Sequence, residues 1–381
     1  MRALRGLSAA AAALALAALI VRPQAMAATF VYVSNAQDGD LGVYALAPDG
    51  GLVAKARTPA AKLVMPMAVS PDRRNLFAAI RSQPHRVNVY SIDAGTGALG
   101  LLSTASLPAS MPYISLDRSG RFLFGASYGD NLVSVSAVGS DLRVDAVPRQ
   151  VVPVGRNAHA ILIDASNRYL FVPTLGTDQV FQFRFDAASG RLTANTPPLV
   201  QMTPGAGPRH FVFSPDNRFV YVLSELLATV TTFSLDGATG LLAETSVAHG
   251  LPPDSTLRPG APRGPVGSAP PRDTSNDIWA ADIHIAPNGK FLYTSERTRS
   301  TLNAFRVDAA TGKLTYLGST PTERQPRGFA IDPKGKYLVA SGELSDTLSV
   351  YAIDQDSGAL TLLGRYPAGK GANWVEIVGF D

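Results

Sequence analysis

Six basic residues, Arg74, Arg121, Arg168, Arg218, Lys290 and Lys336, recur at intervals of 47, 47, 50, 72 and 46 residues. Each follows a short polar turn and precedes an apolar, β-rich run: NLFAAI, FLFGAS, YLFVPT, FVYVLS, FLYTSE and YLVASG. A third run follows each: VNVYSI, LVSVSA, VFQFRF, VTTFSL, LNAFRV and LSVYAI. Most copies then carry an Asp-x-x-x-Gly turn, as at 93–97 and 308–312, and a fourth run such as ALGLLS or KLTYLG. Four antiparallel strands repeated at this period predict a β-propeller. One blade cannot bury both of its faces, so neighbours must cover them and the array has to close.

The two ends of the chain predict how it closes. TFVYV at 29–33 reads as a second strand with no first strand before it, and NWVEIV at 373–378 reads as a first strand with no successor. The C-terminal strand is therefore expected to complete the first blade. Six whole repeats and one split repeat give an all-β, seven-bladed β-propeller. The GH…WD markers of WD40 repeats are absent.

Ahead of the repeats, Arg2 and Arg5 precede an apolar run at 7–21, and Ala25-Met26-Ala27 has the small-x-small form of a cleavage site. Residues 1–27 are expected to be a signal peptide, leaving 28–381 as the propeller domain in the periplasm or outside the cell. The apolar run is short for a membrane span. The formal charge is +4, and the leader holds three Arg and no acid, so its removal leaves +1. That near-neutral balance gives no electrostatic case for a nucleic-acid or membrane partner. The chain has no Cys. Disulfides, thiolate metal sites and thiol catalysis are thereby excluded.

The long interval contains a Pro- and Gly-rich insertion at 249–277. It reads either as a surface loop or as a cover over one mouth of the ring.

Equivalent positions in the repeats can be compared directly. Nine residues before the anchors, where inner strands begin, stand Met65, Pro112, His159, Arg209, Ala281 and Arg327. Seven residues after them, where second strands end, stand Arg81, Tyr128, Leu175, Glu225, Arg297 and Glu343. Both registers should lie at one end of the ring. His210 adjoins the first register, and His284 lies three residues past Ala281. Cations and a few carboxylates around a central funnel suit an anionic or oxygen-rich small molecule and an oxyanion. No H-E-x-x-H or H-x-x-E-H pairing supports a metal, and no G-x-S-x-G supports a serine nucleophile. Gly205-Ala206-Gly207 opens no helix, so a dinucleotide fingerprint is absent. Asp72, Asp216 and Asp332 recur as turn residues. Trp279 and Trp374 are expected to be core or blade-packing residues.

Several segments carry a family likeness: GAGPRH at 205–210, SEL at 224–226, WAADIH at 279–284, SERT at 295–298, QPRGF at 325–329 and the terminal NWV. Along essentially all of 28–381 the chain resembles the propeller-type 6-phosphogluconolactonases, related to the fungal 3-carboxy-cis,cis-muconate lactonizing enzymes. The resemblance implies a seven-bladed propeller and lactone chemistry on a small-molecule substrate with no cofactor and no metal. It also implies catalytic roles for His159, Arg209 and Glu225, with His159 or Glu225 as the base. Arg297 and Arg327 match further pocket arginines, and Arg81, His210 and His284 join them as candidate substrate-binding residues from register and proximity. Members that act in the pentose phosphate pathway lack an export signal. The leading expectation is an exported lactonase opening a sugar lactone. A muconate-type cycloisomerase and a non-enzymatic binding scaffold are the alternatives.

Overall fold

A computed structural model of the chain describes residues 28–264 and 272–380. The expected leader at 1–27 lies outside the described residues, as does part of the 249–277 insertion. Blade 1 combines β1 (Ala28–Asn35), β2 (Asp40–Leu46) and β3 (Leu52–Pro59) with the C-terminal β28 (Ala372–Phe380). Blade 2 holds β4 (Val64–Val69), β5 (Asn75–Ile80), β6 (Arg86–Ile92) and β7 (Leu99–Ser106). Blade 3 holds β8 (Tyr113–Leu116), β9 (Phe122–Ser127), β10 (Leu132–Ala137) and β11 (Gln150–Pro153). Blade 4 holds β12 (Leu162–Ile163), β13 (Tyr169–Thr174), β14 (Gln179–Asp186) and β15 (Arg191–Gln201). Blade 5 holds β16 (Pro208–Phe213), β17 (Phe219–Ser224), β18 (Thr229–Leu235) and β19 (Leu242–His249). Blade 6 holds β20 (Ala280–Ile285), β21 (Phe291–Glu296), β22 (Thr301–Val307) and β23 (Leu314–Pro321). Blade 7 holds β24 (Phe329–Ile331), β25 (Tyr337–Ser341), β26 (Thr347–Ile353) and β27 (Leu360–Pro367).

Each blade is a four-stranded antiparallel sheet, so the seven-bladed propeller is realised, and β28 pairs with β1 to close it. Burial follows position within a blade. All six residues are buried in each of β5, β9, β13, β17 and β21, because neighbouring blades cover both faces. The outer strands β7 and β27 have no buried residue. Side chains of a strand alternate between faces, and the core divides accordingly. Phe30 and Tyr32 of β1 pack towards blade 2, whereas Val31 and Val33 pack towards blade 7.

Three of the basic residues that mark the repeat fasten one blade to the next. Arg121, Arg168 and Arg218 donate to the carbonyls of Ala187, Gly237 and Ala309, at 2.6, 2.7 and 2.6 Å, in the Asp-x-x-x-Gly turn of the following blade. Each guanidinium also lies over the ring that follows it in sequence, Phe122, Tyr169 or Phe219, 5.1–5.8 Å from the centroid. The turn glycine then sits on that ring. Gly312 has φ of +72°, and a Cβ there would meet Phe219 at 2.6 Å. At the junction of blades 2 and 3 both partners change together. Asn75 replaces the ring, and β10 connects to β11 by a longer segment at 138–149.

Gly312→Ala is expected to lower stability by ~1–3 kcal/mol, because it adds left-handed strain to a clash. Gly237→Ala, with nothing within 4 Å of the added methyl, is the control. Urea unfolding of both variants checks this; equal stabilities would show that the turn contact contributes nothing.

Candidate active site

Two β-bulges shape the site. The pairing of β16 with β17 slips between Pro208 and Phe211, and that of β20 with β21 slips between Ala280 and Ile283. Bulges turn side chains away from simple alternation. Here they bring Arg209 and His210 of blade 5 against Ala281 and Asp282 of blade 6.

Arg209 is 0% exposed. Its Nη1 donates to the Ala281 carbonyl, and its Nε stands 2.7 Å from Glu225 Oε2. That second contact is an ion pair without hydrogen-bond alignment, and Nη2 has no partner among the described residues. Arg297 Nη2 lies 3.1 Å from the same Glu225 oxygen. Glu225 Oε1 accepts the Trp279 indole N–H at 3.1 Å. Both oxygens of Glu225 are thus engaged. Arg297 also donates from Nε to the Trp279 carbonyl at 3.0 Å, and its guanidinium lies 3.7 Å from the Trp279 ring centroid. Arg327 Nη1 stands 3.6 Å from Glu343 Oε1, and Arg81 Nε donates to Ser110 Oγ at 3.0 Å.

Burial lowers the Arg209 guanidinium to about 9, helped by the charges of Arg297 and Arg327. Burial likewise lowers Arg297 and Arg81 to about 10, with Arg327 adding to both. All three remain cationic near neutral pH. Burial, then Arg209, His210 and Arg327, push His159 well below the ordinary histidine value of 6.5. Burial and Arg209 push His210 to about 3, against the pull of Asp282. Both imidazoles are neutral. Nδ1 of His159 and Nε2 of His210 are buried without partners among the described residues.

The described part of the insertion crosses this mouth. Gly260 N–H donates to the Leu226 carbonyl at 2.9 Å, and Arg258 and Arg272 hold Asp277 at 2.9 and 2.6 Å. Arg263 lies 4.3 Å from the Trp279 ring centroid in blade 6, while its carbonyl accepts the Tyr128 hydroxyl of blade 3 at 3.0 Å.

His159, Arg209, His210, Glu225, Arg297, Arg327 and Arg81 therefore share one end of the ring. His284 does not. It sits near the end of β20 and lines the opposite opening with Arg118, Ser214 and Asn217. A strand advances ~3.3 Å per residue, so three residues past Ala281 is far enough to leave the mouth. Its link to the group is Asp282, whose Oδ2 is 3.2 Å from His284 Nε2. Burial opposes charge on His284, but Asp282 outweighs it and raises its proton affinity. Trp279 is also more than packing: the two arginines and Glu225 meet on it. Trp374 lies 5.8 Å from the His210 ring and donates to Glu376 Oε1 at 2.8 Å. Asp282 and Arg263 were invisible to register comparison. Asp282 has no charged counterpart in other blades, and Arg263 stands outside the repeat.

These features define a seven-bladed propeller with a buried cluster of arginines, neutral histidines and Glu225 at one mouth. Residues 30–377 match the profile of the seven-bladed β-propeller lactonases. The chain is 39% identical over 350 residues to a 6-phosphogluconolactonase of Serratia proteamaculans, covering 91% of this chain and 98% of that one. A 6-phosphogluconolactonase of Pectobacterium carotovorum is 37% identical over 351 residues, covering 92% and 99%. Among solved structures, the periplasmic gluconolactonase of Pseudomonas aeruginosa superposes with a TM-score of 0.78 at 26% identity, covering 92% of this chain and 99% of that one. A protein from Lactobacillus plantarum shares the fold, with a TM-score of 0.80 at 23% identity over 93% and 100% of the two chains. The chain belongs to the lactonase family of seven-bladed β-propellers, which are lactone-hydrolysing carboxylic ester hydrolases.

Acid should destabilise the fold through the buried imidazoles. As pH falls from 6.5 towards 3, the unfolded chain binds a proton that folded His210 does not. The loss is up to about 1.4 kcal/mol per pH unit for that group, and His159 acts in the same direction. Urea midpoints at about pH 7 and about pH 5 should therefore differ less in His210→Gln than in the wild type. Equal differences would contradict the neutral, buried state of His210.

Proposed function

We propose that the protein is an exported lactonase that opens a sugar δ-lactone by attack of water. The observation that carries this reading is the pairing of two unsatisfied groups in one buried cationic cluster. His159 has a neutral imidazole without a hydrogen-bond partner at Nδ1, and Arg209 has an N–H nitrogen without an acceptor. A neutral imidazole has a lone pair for proton transfer, on Nε2 when Nδ1 carries the proton, and the Arg209 N–H suits an oxygen that gains negative charge.

In this scheme His159 takes a proton from water as the water oxygen bonds to the lactone carbonyl carbon. Arg209 and Arg327 hold the resulting oxyanion, a role commonly worth about 3 kcal/mol per donor. Collapse breaks the ring C–O bond, and the imidazolium returns its proton to the departing alkoxide. The free acid then ionises. Glu225 is better suited to holding Arg209 and Arg297 in place than to accepting a proton, because both of its oxygens are already occupied. Arg297 lies beside it on Trp279, Arg81 and Arg327 offer cations to the rest of the substrate, and His210 backs His159.

The expected leader at 1–27 supports export, and a phosphorylated sugar lactone is a cytoplasmic metabolite. The Pseudomonas aeruginosa neighbour, a periplasmic gluconolactonase, supports the same choice. The favoured substrate is therefore glucono-1,5-lactone rather than its 6-phosphate.

Acid release in a pH-stat, corrected for spontaneous hydrolysis, tests this on the mature chain. Wild type should turn over glucono-1,5-lactone, and His159→Ala should lose about a hundredfold or more in kcat. Arg209→Ala should fall by a similar factor. Because His159 stays neutral below 6.5, kcat/KM should not fall as pH drops through that value. Absence of turnover on both lactones overturns the proposal and moves attention to muconate-type lactones, whose isomerisation consumes no water.

A further inference from the structure

We propose that Asp282 and His210 are positioning residues that set the tautomer of His159, through a carboxylate–imidazole–imidazole chain behind the funnel mouth. This rests on His159 acting as the base.

Asp282 is held from several sides. Its Oδ1 accepts from the Ile283 N–H at 3.0 Å, and its Oδ2 accepts from the Phe329 N–H of blade 7 at 3.2 Å. Its own N–H donates to Ser295 Oγ at 3.0 Å. Burial opposes its charge, but His284 and His210 keep it far below the ordinary carboxylate range. An ionised carboxylate can only accept hydrogen bonds. The 2.8 Å contact between Asp282 Oδ1 and His210 Nδ1 therefore requires the proton on Nδ1 of His210. A neutral imidazole carries one N–H, so Nε2 of His210 is left as an acceptor.

That acceptor has nothing to accept from in its own blade. It is buried and unpartnered, in a ring wedged between Tyr113 at 5.0 Å and Trp374 at 5.8 Å. The neighbouring ring is His159, with centroids 5.2 Å apart at 66°. His159 brings the matching defect, a buried Nδ1 without a partner. Two orphaned nitrogens on adjacent rings are costly separately. No hydrogen bond joins them as the rings stand. The bond that a turn of one ring would make forms only if His159 carries its proton on Nδ1, because Nε2 of His210 has no proton to give. The His159 backbone is fixed by its N–H, which donates to the Pro173 carbonyl at 3.1 Å. With Nδ1 protonated, the lone pair of His159 lies on Nε2, free to take a proton from water.

The surrounding charges fit this arrangement. Arg209 and Arg327 act on both His159 and His210, and favour neutral rings. Asp282 faces His210 on one side and His284 on the other, with Glu376 beyond. Among these groups Asp282 supplies the fixed negative charge that orients the first proton of the chain. Family resemblance pointed to His159, to the arginines and to Glu225; the link from His159 through His210 to Asp282 emerges only from the two bulges.

The test is the tautomeric state of ¹⁵N-histidine-labelled mature protein near neutral pH, read by long-range ¹H–¹⁵N correlation without substrate. His159→Gln and His210→Gln spectra assign the two rings. Wild type should show the proton on Nδ1 in both. Asp282→Asn removes the carboxylate and can turn its N–H₂ to Nδ1 of His210; where His210 flips to the Nε2–H form, His159 should flip with it. In the same variant kcat should fall by about a hundredfold with KM changed little. A His159 ring protonated on Nε2 in the wild type overturns the proposal. So does an Asp282→Asn protein in which His210 flips and His159 does not. Because the spectra need no substrate, loss of the lactonase reading and loss of this chain are distinguishable. The wild-type measurement stands even if the variant fails to fold.

Discussion

Ring closure by β28 against β1 is the constraint on which the rest of this molecule depends. Every blade has two apolar faces, and a linear stack would leave one exposed at each end. The pairing from Ala28 with Phe380 to Ser34 with Trp374 joins the first and last parts of the chain in one sheet. It gives Val31 and Val33 of β1 a place against blade 7. Closure also fixes the funnel geometry. Inner strands from all seven blades must converge on one axis, so the residues at their starts become neighbours although they are far apart in sequence. Arg209 meets the carbonyl of Ala281 across 72 positions.

The junctions between blades explain why the repeat is so regular. In blades 3, 4 and 5 a basic residue, the ring after it and a left-handed glycine in the next blade form one contact, while Phe30 keeps its glycine, Gly97, without a basic residue before it. Blade 2, where Asn75 stands in place of the ring, faces the blade without the glycine turn. The mouth shows the opposite logic. There, burial works against charge, and cations are retained because Glu225 binds two of them at once. Removing one partner of such a cluster would strand the others in a poorly solvated place. Two neutral histidines beside these cations are a consequence of the same electrostatics.

Much of this was legible in one dimension. Strand count, blade count and the split first blade follow from spacing and from the apolar, β-rich runs. The two registers found most of the mouth, because equivalent positions in a closed ring share one end by symmetry. His284 failed that logic. It was assigned by nearness in sequence to Ala281, yet a strand carries successive residues along the axis, and three steps reach the other opening. Trp279 read as packing, since an isolated tryptophan gives no sign of whether an arginine will stack on it. Arg263 lay in a segment without periodicity, where no register exists to compare.

The sequence alone determined the architecture, because regularly spaced apolar runs and a recurring turn chemistry leave few ways to bury both faces of a blade. Tertiary structure alone decided which polar groups touch. The bulges in β16 and β20 set the angles at which Arg209, His210 and Asp282 leave the backbone, and a bulge is a two-strand property that neither strand encodes by itself. The protonation states followed from those contacts. Identical histidines, at 159, 210 and 284, differ through their surroundings: burial and then arginines hold the first two neutral, and a carboxylate raises the proton affinity of the third.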